Sequence, residues 1–203
     1  MKVLLMIGIL FSFNSFAKVT YNCGNETWNQ AEFRGNMFHV EVQFVCQTSI
    51  DAADLDRIEA AMILRYQEGS DVTQVHEVGE SKVDDMLGTY IVSSLKQSIP
   101  NRGEMNIKYH SFVGVDADQN IRTKSESLKI DATGYSRYTK KIILRRIISV
   151  VNGKIQFKFR EFDIIEKPGI APRGLFTRAA KKGLADNTKR KIKWLLNFID
   201  QNL

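Results

Sequence analysis

The sequence predicts one α+β domain in which a run of antiparallel strands is followed by a long C-terminal helix. Three observations predict it. Across residues 38–44 apolar and polar side chains alternate, which is the two-residue period of a half-buried strand. Across residues 72–165 strand-like runs follow one another with turn residues between them. Pro168, Gly169, Pro172 and Gly174 then break that pattern. Beyond them Phe176, Ala180, Leu184, Thr188, Ile192, Leu195 and Ile199 recur at three- and four-residue steps, the spacing of one helix face.

The chain opens with Lys2, an uncharged apolar stretch over residues 3–13, and small residues at Ser15 and Ala17. That is the three-part pattern of a secretory signal peptide, cleaved near Ala17. The stretch is shorter than the roughly 20 residues that span a bilayer, although an uncleaved anchor is the alternative. The working chain would then start near Lys18 and act in a periplasm or outside the cell. Residues 18–37 read as an irregular, polar N-terminal segment, and residues 38–203 as a single domain.

Within that domain Phe38, Val40, Val42 and Phe44 face one way, and His39, Glu41 and Gln43 the other. Ser49 or Asp51 is expected to cap a first helix. Its apolar stripe is Leu55, Ile58 and Met62, with Asp54, Arg57, Glu59 and Arg65 outside, and it ends near Gly69. Strands are expected near 72–80, 89–97, 106–115, 121–131, 140–151 and 154–166. A hairpin loop is expected over Asp116, Ala117, Asp118, Gln119 and Asn120. Asn152-Gly153 is the strongest turn signal, since both residues tolerate the positive φ of a type I′ turn. A further turn is expected around Pro100, Asn101 and Gly103. The final helix is expected over about 175–202, where Trp194, Leu196 and Phe198 widen the apolar arc.

The chain has 203 residues, 43% of them hydrophobic, which suits a globular domain with a real core. Its two cysteines, Cys23 and Cys46, most simply form a disulfide in an oxidising compartment; two free thiols are the alternative. No metal site is expected: there is no C-x-x-C, and His39, His76 and His110 are scattered. The net charge of +6 is uneven. Residues 167–193 carry nine basic side chains against one acidic, Asp186. That helix therefore offers three readings: a solvated basic face, contact with an anionic membrane surface, or nucleic-acid binding. Export argues against the last, as does the absence of interleaved surface aromatics.

One strand, a short helical region, a run of antiparallel strands and a long last helix follow in that order. Two passages add to it: Val40-Glu41-Val42-Gln43-Phe44 through Ser49-Ile50-Asp51-Ala52 into the first helix, and Pro172-Arg173-Gly174 into the last. This layout resembles the START-like, or SRPBCC, helix-grip superfamily over residues 38–203. One departure is that a second short helix after the first could come only from residues 81–87 or an extension of the first helix. The resemblance implies a curved antiparallel sheet of about six to seven strands wrapped around the last helix. It also implies a pocket between them for an apolar or amphipathic small molecule, such as a lipid. Tyr109, Arg146, Phe157, Phe159, Leu184 and Thr188 are the residues expected to line it.

No nucleophile elbow, zincin motif or phosphate-binding loop is present, and no cofactor is expected. The leading expectation is a monomeric, non-enzymatic binding or transfer protein. The alternative is a secreted enzyme using His110 and Glu161 as an acid/base pair, which requires both on one sheet face. Of Arg145 and Arg146, one must share a face with Ile142 and Leu144. It could meet a ligand's anionic head group, pair with an acid such as Glu161, or reach solvent.

Overall fold

In the computed structural model, residues 19–99 and 103–203 are described. The signal-like segment, and the turn expected at Pro100 and Asn101, lie outside the described residues. Among the described residues, nine antiparallel strands form one sheet. β1 (Tyr21–Cys23) and β2 (Thr27–Arg34) pair with successive parts of β3 (Met37–Asp51). A 3-10 turn at Ala52–Asp54 leads into α1 (Leu55–Glu68). A meander follows: β4 (Val72–Val83), β5 (Met86–Ile99), β6 (Gly103–Val115), β7 (Ile121–Ala132), β8 (Thr139–Val151) and β9 (Lys154–Glu166). β9 then pairs back onto β3, and α2 (Arg173–Asn202) completes the chain. The spatial order is β1-β3-β9-β8-β7-β6-β5-β4, with β2 beside β1 on the same edge of β3.

The alternation along β3 continues to its end. Phe38, Val40, Val42, Phe44, Cys46, Thr48 and Ile50 are all buried on the face that meets the helices. The β8–β9 turn forms at Asn152 and Gly153, with φ of 53° and 73°, as the dipeptide requires. In the β6–β7 loop, Asp116 Oδ1 accepts from the backbone of Asp118 and Asn120 at 3.0 and 2.9 Å.

Four local expectations are corrected. The N-terminal segment, expected to be irregular, supplies β1 and β2 between Tyr21 and Arg34, whose sequence carries too few apolar residues to show a period. Ser49 does not cap the first helix, because β3 runs through it; Asp51 sits at the N-cap of the 3-10 turn without a side-chain capping bond, and Asp54 precedes α1. The Ser49 hydroxyl instead accepts from Thr20 N at 3.0 Å, and α1 starts only at Leu55. Residues 81–87 form the β4–β5 hairpin, turning at Asp84 and Asp85 with φ of 48° and 64°. Arg65 is not on the outer face of α1; it is buried beside Ile58, Ala61, Met62 and Tyr66.

The inner face of the sheet carries two apolar clusters. The larger joins β3 and β9 to both helices and includes Phe44, Phe157, Phe159, Leu184, Leu195 and Ile199. The smaller lies across β5, β6 and β8, with Leu95, Met105, Ile107, Tyr109, Ile142 and Leu144. Burial of each Leu or Ile of α2 contributes about 1.5–3 kcal/mol. That exceeds the roughly 1 kcal/mol cost of the buried Gly183 within the helix.

Cys23 and Cys46 lie directly opposite one another across β1 and β3 and are disulfide-bonded. The bond closes a loop with a sequence separation of 23, a constraint worth about 3 kcal/mol. Reduction, or a paired Cys23→Ala and Cys46→Ala change, is expected to lower the melting temperature by about 6–12 °C. Differential scanning calorimetry with and without reductant checks this.

Candidate functional site

Between the smaller cluster and the second half of α2 lies a recess of about 230 Å³. Leu95, Leu144, Trp194 and Leu195 give it apolar walls. Its polar lining comes from α1 and Asp71, from β5 to β8, and from α2, which supplies Asn187, Arg190 and Lys191. Strand register places Ser111 of β6 opposite Ser125 of β7, and Ser125 opposite Leu144 of β8. Ser111 Oγ donates to Ser125 Oγ at 3.0 Å, and Ser125 Oγ donates to Tyr66 Oη at 2.9 Å. Arg146 Nη1 donates to the same Tyr66 oxygen at 2.6 Å and lies 3.4 Å from Thr123 Oγ1.

This convergence of donors sets the chemistry of Tyr66. Burial alone pushes its phenol up, but the positive charge of Arg146, the hydroxyls of Ser125 and Thr123, and Arg65 outweigh it. Its pKa lies below the ordinary tyrosine value. Tyr109 shows the reverse. Burial, then the charges of Glu161 and Asp163, push it well above that value. Its Oη is buried with no hydrogen-bond partner among the described residues. Arg65 donates to Asp71 at 2.8 Å and lies over the Trp194 ring, 3.7 Å from its centroid.

Below the middle of α2 sits a second polar group. Glu161 is 1% exposed and bonds Lys191 Nζ at 2.5 Å. The Thr188 hydroxyl lies 2.8 Å from both Glu161 Oε2 and the Leu184 carbonyl, and its single proton serves one of them. Asp163 is buried nearby, with Oδ1 unpartnered. Burial first, then Glu161, push its carboxyl well above the usual aspartate range, against the pull of Lys191.

The six residues expected to line a pocket separate into three groups. Tyr109 and Arg146 line the recess. Phe159 and Thr188 border a void of only about 10 Å³ under α2. Phe157 and Leu184 are packed into the larger apolar cluster. Arg146 does not pair with Glu161, which Lys191 holds instead. His110 and Glu161 cannot act together. Glu161 points to the inner face, whereas His110 points outward and stacks on Tyr90 with ring centroids 5.6 Å apart.

Arg65, Tyr66 and Asp163 carry the same periods that were read for their neighbours. Steps of three and four from Ile58 and Met62 reach Arg65 and Tyr66. Alternation from Phe157 and Phe159 reaches Glu161 and Asp163. Their polarity disguised a buried position. The contributions of Ser111 and Ser125 depend on register across strands and leave no such signal.

The last strand pairs with β3, a long helix lies on the inner face of the sheet, and the recess opens between them. The chain has the START-like, helix-grip fold. No family model matches it, and no curated protein matches it. Solved structures with a similar fold include the Zhui aromatase/cyclase from a Streptomyces species. It is 15% identical over 81% of this chain and 94% of that one, with a TM-score of 0.49. A STAR-related lipid transfer protein fragment from Xanthomonas axonopodis is 13% identical over 85% and 98%, with a TM-score of 0.45. A START superfamily protein from Mycobacterium smegmatis is 13% identical over 82% and 99%, with a TM-score of 0.44. The fold assignment rests on strand order and helix placement in this chain, and what those proteins bind or catalyse remains theirs.

Two outcomes follow from the polar residues of this START-like core. An unfolded aspartate titrates near 3.8. Folded Asp163 keeps its proton well above that, so its contribution to stability is full below the unfolded value. It is lost as pH rises through the folded value. Asp163→Asn is expected to flatten this fall, read from urea denaturation at a series of pH values from the unfolded value of 3.8 upward. Lys191→Met strands a buried carboxylate and is expected to cost about 3–5 kcal/mol in the same assay.

Proposed function

We propose that the protein is an exported, non-enzymatic binding or transfer protein for a small amphipathic molecule. The apolar part of the ligand lies against Leu95, Leu144, Trp194 and Leu195. Its polar end accepts hydrogen bonds from Arg146 and Tyr109. The observation that carries this reading is the recess itself: apolar walls, with a guanidinium and an unpartnered phenol among its polar lining.

The size of the recess bears on the ligand. Pockets for drug-sized molecules hold about 300–1,000 Å³, and this one is smaller. That favours one short chain or one ring system over a two-chain lipid. Export is supported by the signal-like pattern at residues 1–17 and by the disulfide, which belongs to oxidising compartments. Contact of the basic face of α2 with an anionic membrane has weaker support. Lys181 already lies over the Trp28 ring at 4.4 Å, and Lys189 lies 3.5 Å from Glu26.

Octanoate and 1-octanol are suitable probes, because they share a chain and differ at the polar end. Isothermal titration of the full chain is expected to show saturable binding of both. Octanoate should bind roughly tenfold or more tightly, the worth of a charge-assisted hydrogen bond. Arg146→Met should remove that preference and spare octanol binding. Absence of saturable binding for either probe would reject the reading.

A further inference from the structure

On the face of the sheet turned away from α2, strand register sets like charges opposite one another. Lys124 of β7 faces Arg145 of β8, and Arg145 faces Arg160 of β9. One step along, Arg122 and Lys158 flank Ile147. Neighbouring strands lie about 4.8 Å apart, and like charges directly opposite destabilise a sheet.

Few carboxylates offset this row. Asp116 binds Arg122 at 2.5 Å. Glu126 lies 3.6 Å from Lys124 but is held by Lys141 at 2.5 Å. Arg145, Lys158 and Arg160 form no ion pair among the described residues; Arg160 Nε donates to Gln43 Oε1 at 2.9 Å. The row borders a pocket of about 170 Å³, where Asp84 is the one carboxylate among the lining side chains.

The wall of this pocket is built. The Phe112 ring reaches across Gly88 and Gly114, which are paired in register. A Cβ at either glycine would come within 2.7 or 2.8 Å of the ring, closer than packed atoms allow. Both positions therefore have to be glycine for Phe112 to lie there. Cations held on adjacent strands are fixed in spacing, and arginine forks match the oxygens of a phosphate.

We infer that this outer pocket binds a phosphate monoester or diphosphate group, with Arg145 at its centre and Lys124, Lys158 and Arg160 around it. The site is distinct from the recess, which opens on the opposite face of the sheet. The bound anion supplies the negative charge that the protein leaves out, and removes a repulsion that the empty site carries.

Thermal melting of the full chain tests this with two probes. The first is inorganic pyrophosphate, compared with sodium chloride at matched ionic strength. The second is phosphatidic acid in phosphatidylcholine vesicles, read by co-sedimentation against phosphatidylcholine alone. Near hundredfold saturation, pyrophosphate is expected to raise the melting temperature by about 5 °C or more. Arg145→Glu is expected to melt higher than the parent without anion, because it turns repulsion into attraction, and to lose the pyrophosphate response. A soluble phosphate ester is indicated if only the first probe acts. A lipid head group is indicated if vesicles bind and Arg145→Glu releases them. A melting shift no larger than that of chloride together with no vesicle binding overturns the inference. So does an unchanged response in Arg145→Glu.

Discussion

The pairing of β3 with β9 is the contact on which the rest of the fold depends. The other long strands pair with the strand next to them in sequence. This pair joins Met37–Asp51 to Lys154–Glu166, and so brings the two ends of the domain together. Its register sets Phe44 against Phe159, Cys46 against Phe157 and Val42 against Glu161. A slip of one residue would turn each of these side chains to the outer face. α2 would then meet polar residues in place of its core. Because the partners are distant in sequence, chain entropy must be spent before the contact forms, which places this step late and makes it slow.

Much of this architecture was legible in the sequence. Strict alternation located β3 and β9, the Asn152-Gly153 turn joined β8 to β9, and the α2 stripe named its buried face. β1 and β2 were not legible. Their residues are held by pairing to β3 and by the disulfide, and their own composition has little apolar content. Of the recess, Arg146 and Tyr109 could be found because each follows an apolar strand pattern. Tyr66, Arg65 and the serine pair could not. Tyr66 and Arg65 lie on the α1 stripe but their polarity hid it, and the serine pair depends on register between β6 and β7 that no single segment encodes.

The inner face keeps its charges in compensated groups, with one exception. Asp71 answers Arg65, and Glu161 answers Lys191. Burial and the charge of Glu161 push the Asp163 carboxyl well above the usual aspartate range. Arg146 has only hydroxyl partners, and its field is what lowers the neighbouring Tyr66 phenol. A guanidinium bonded to neutral oxygens keeps its full charge for whatever enters. An arginine matched to a carboxylate would not. Under the proposed reading, that free charge is what a ligand with an acceptor end would meet.

The bond between Glu161 and α2 also helps to set the width of the recess. Thr188 and Lys191 fasten the helix to β9, and the recess-lining Trp194 and Leu195 lie immediately beyond. Beyond that point Leu195, Leu196 and Ile199 are buried in the larger cluster, and Asp200 Oδ1 accepts from Val19 N at 2.8 Å. The helix is thus fastened at its middle and again near its end, like a rod held by two clamps. The width of the recess is then fixed by the spacing of those clamps from the sheet.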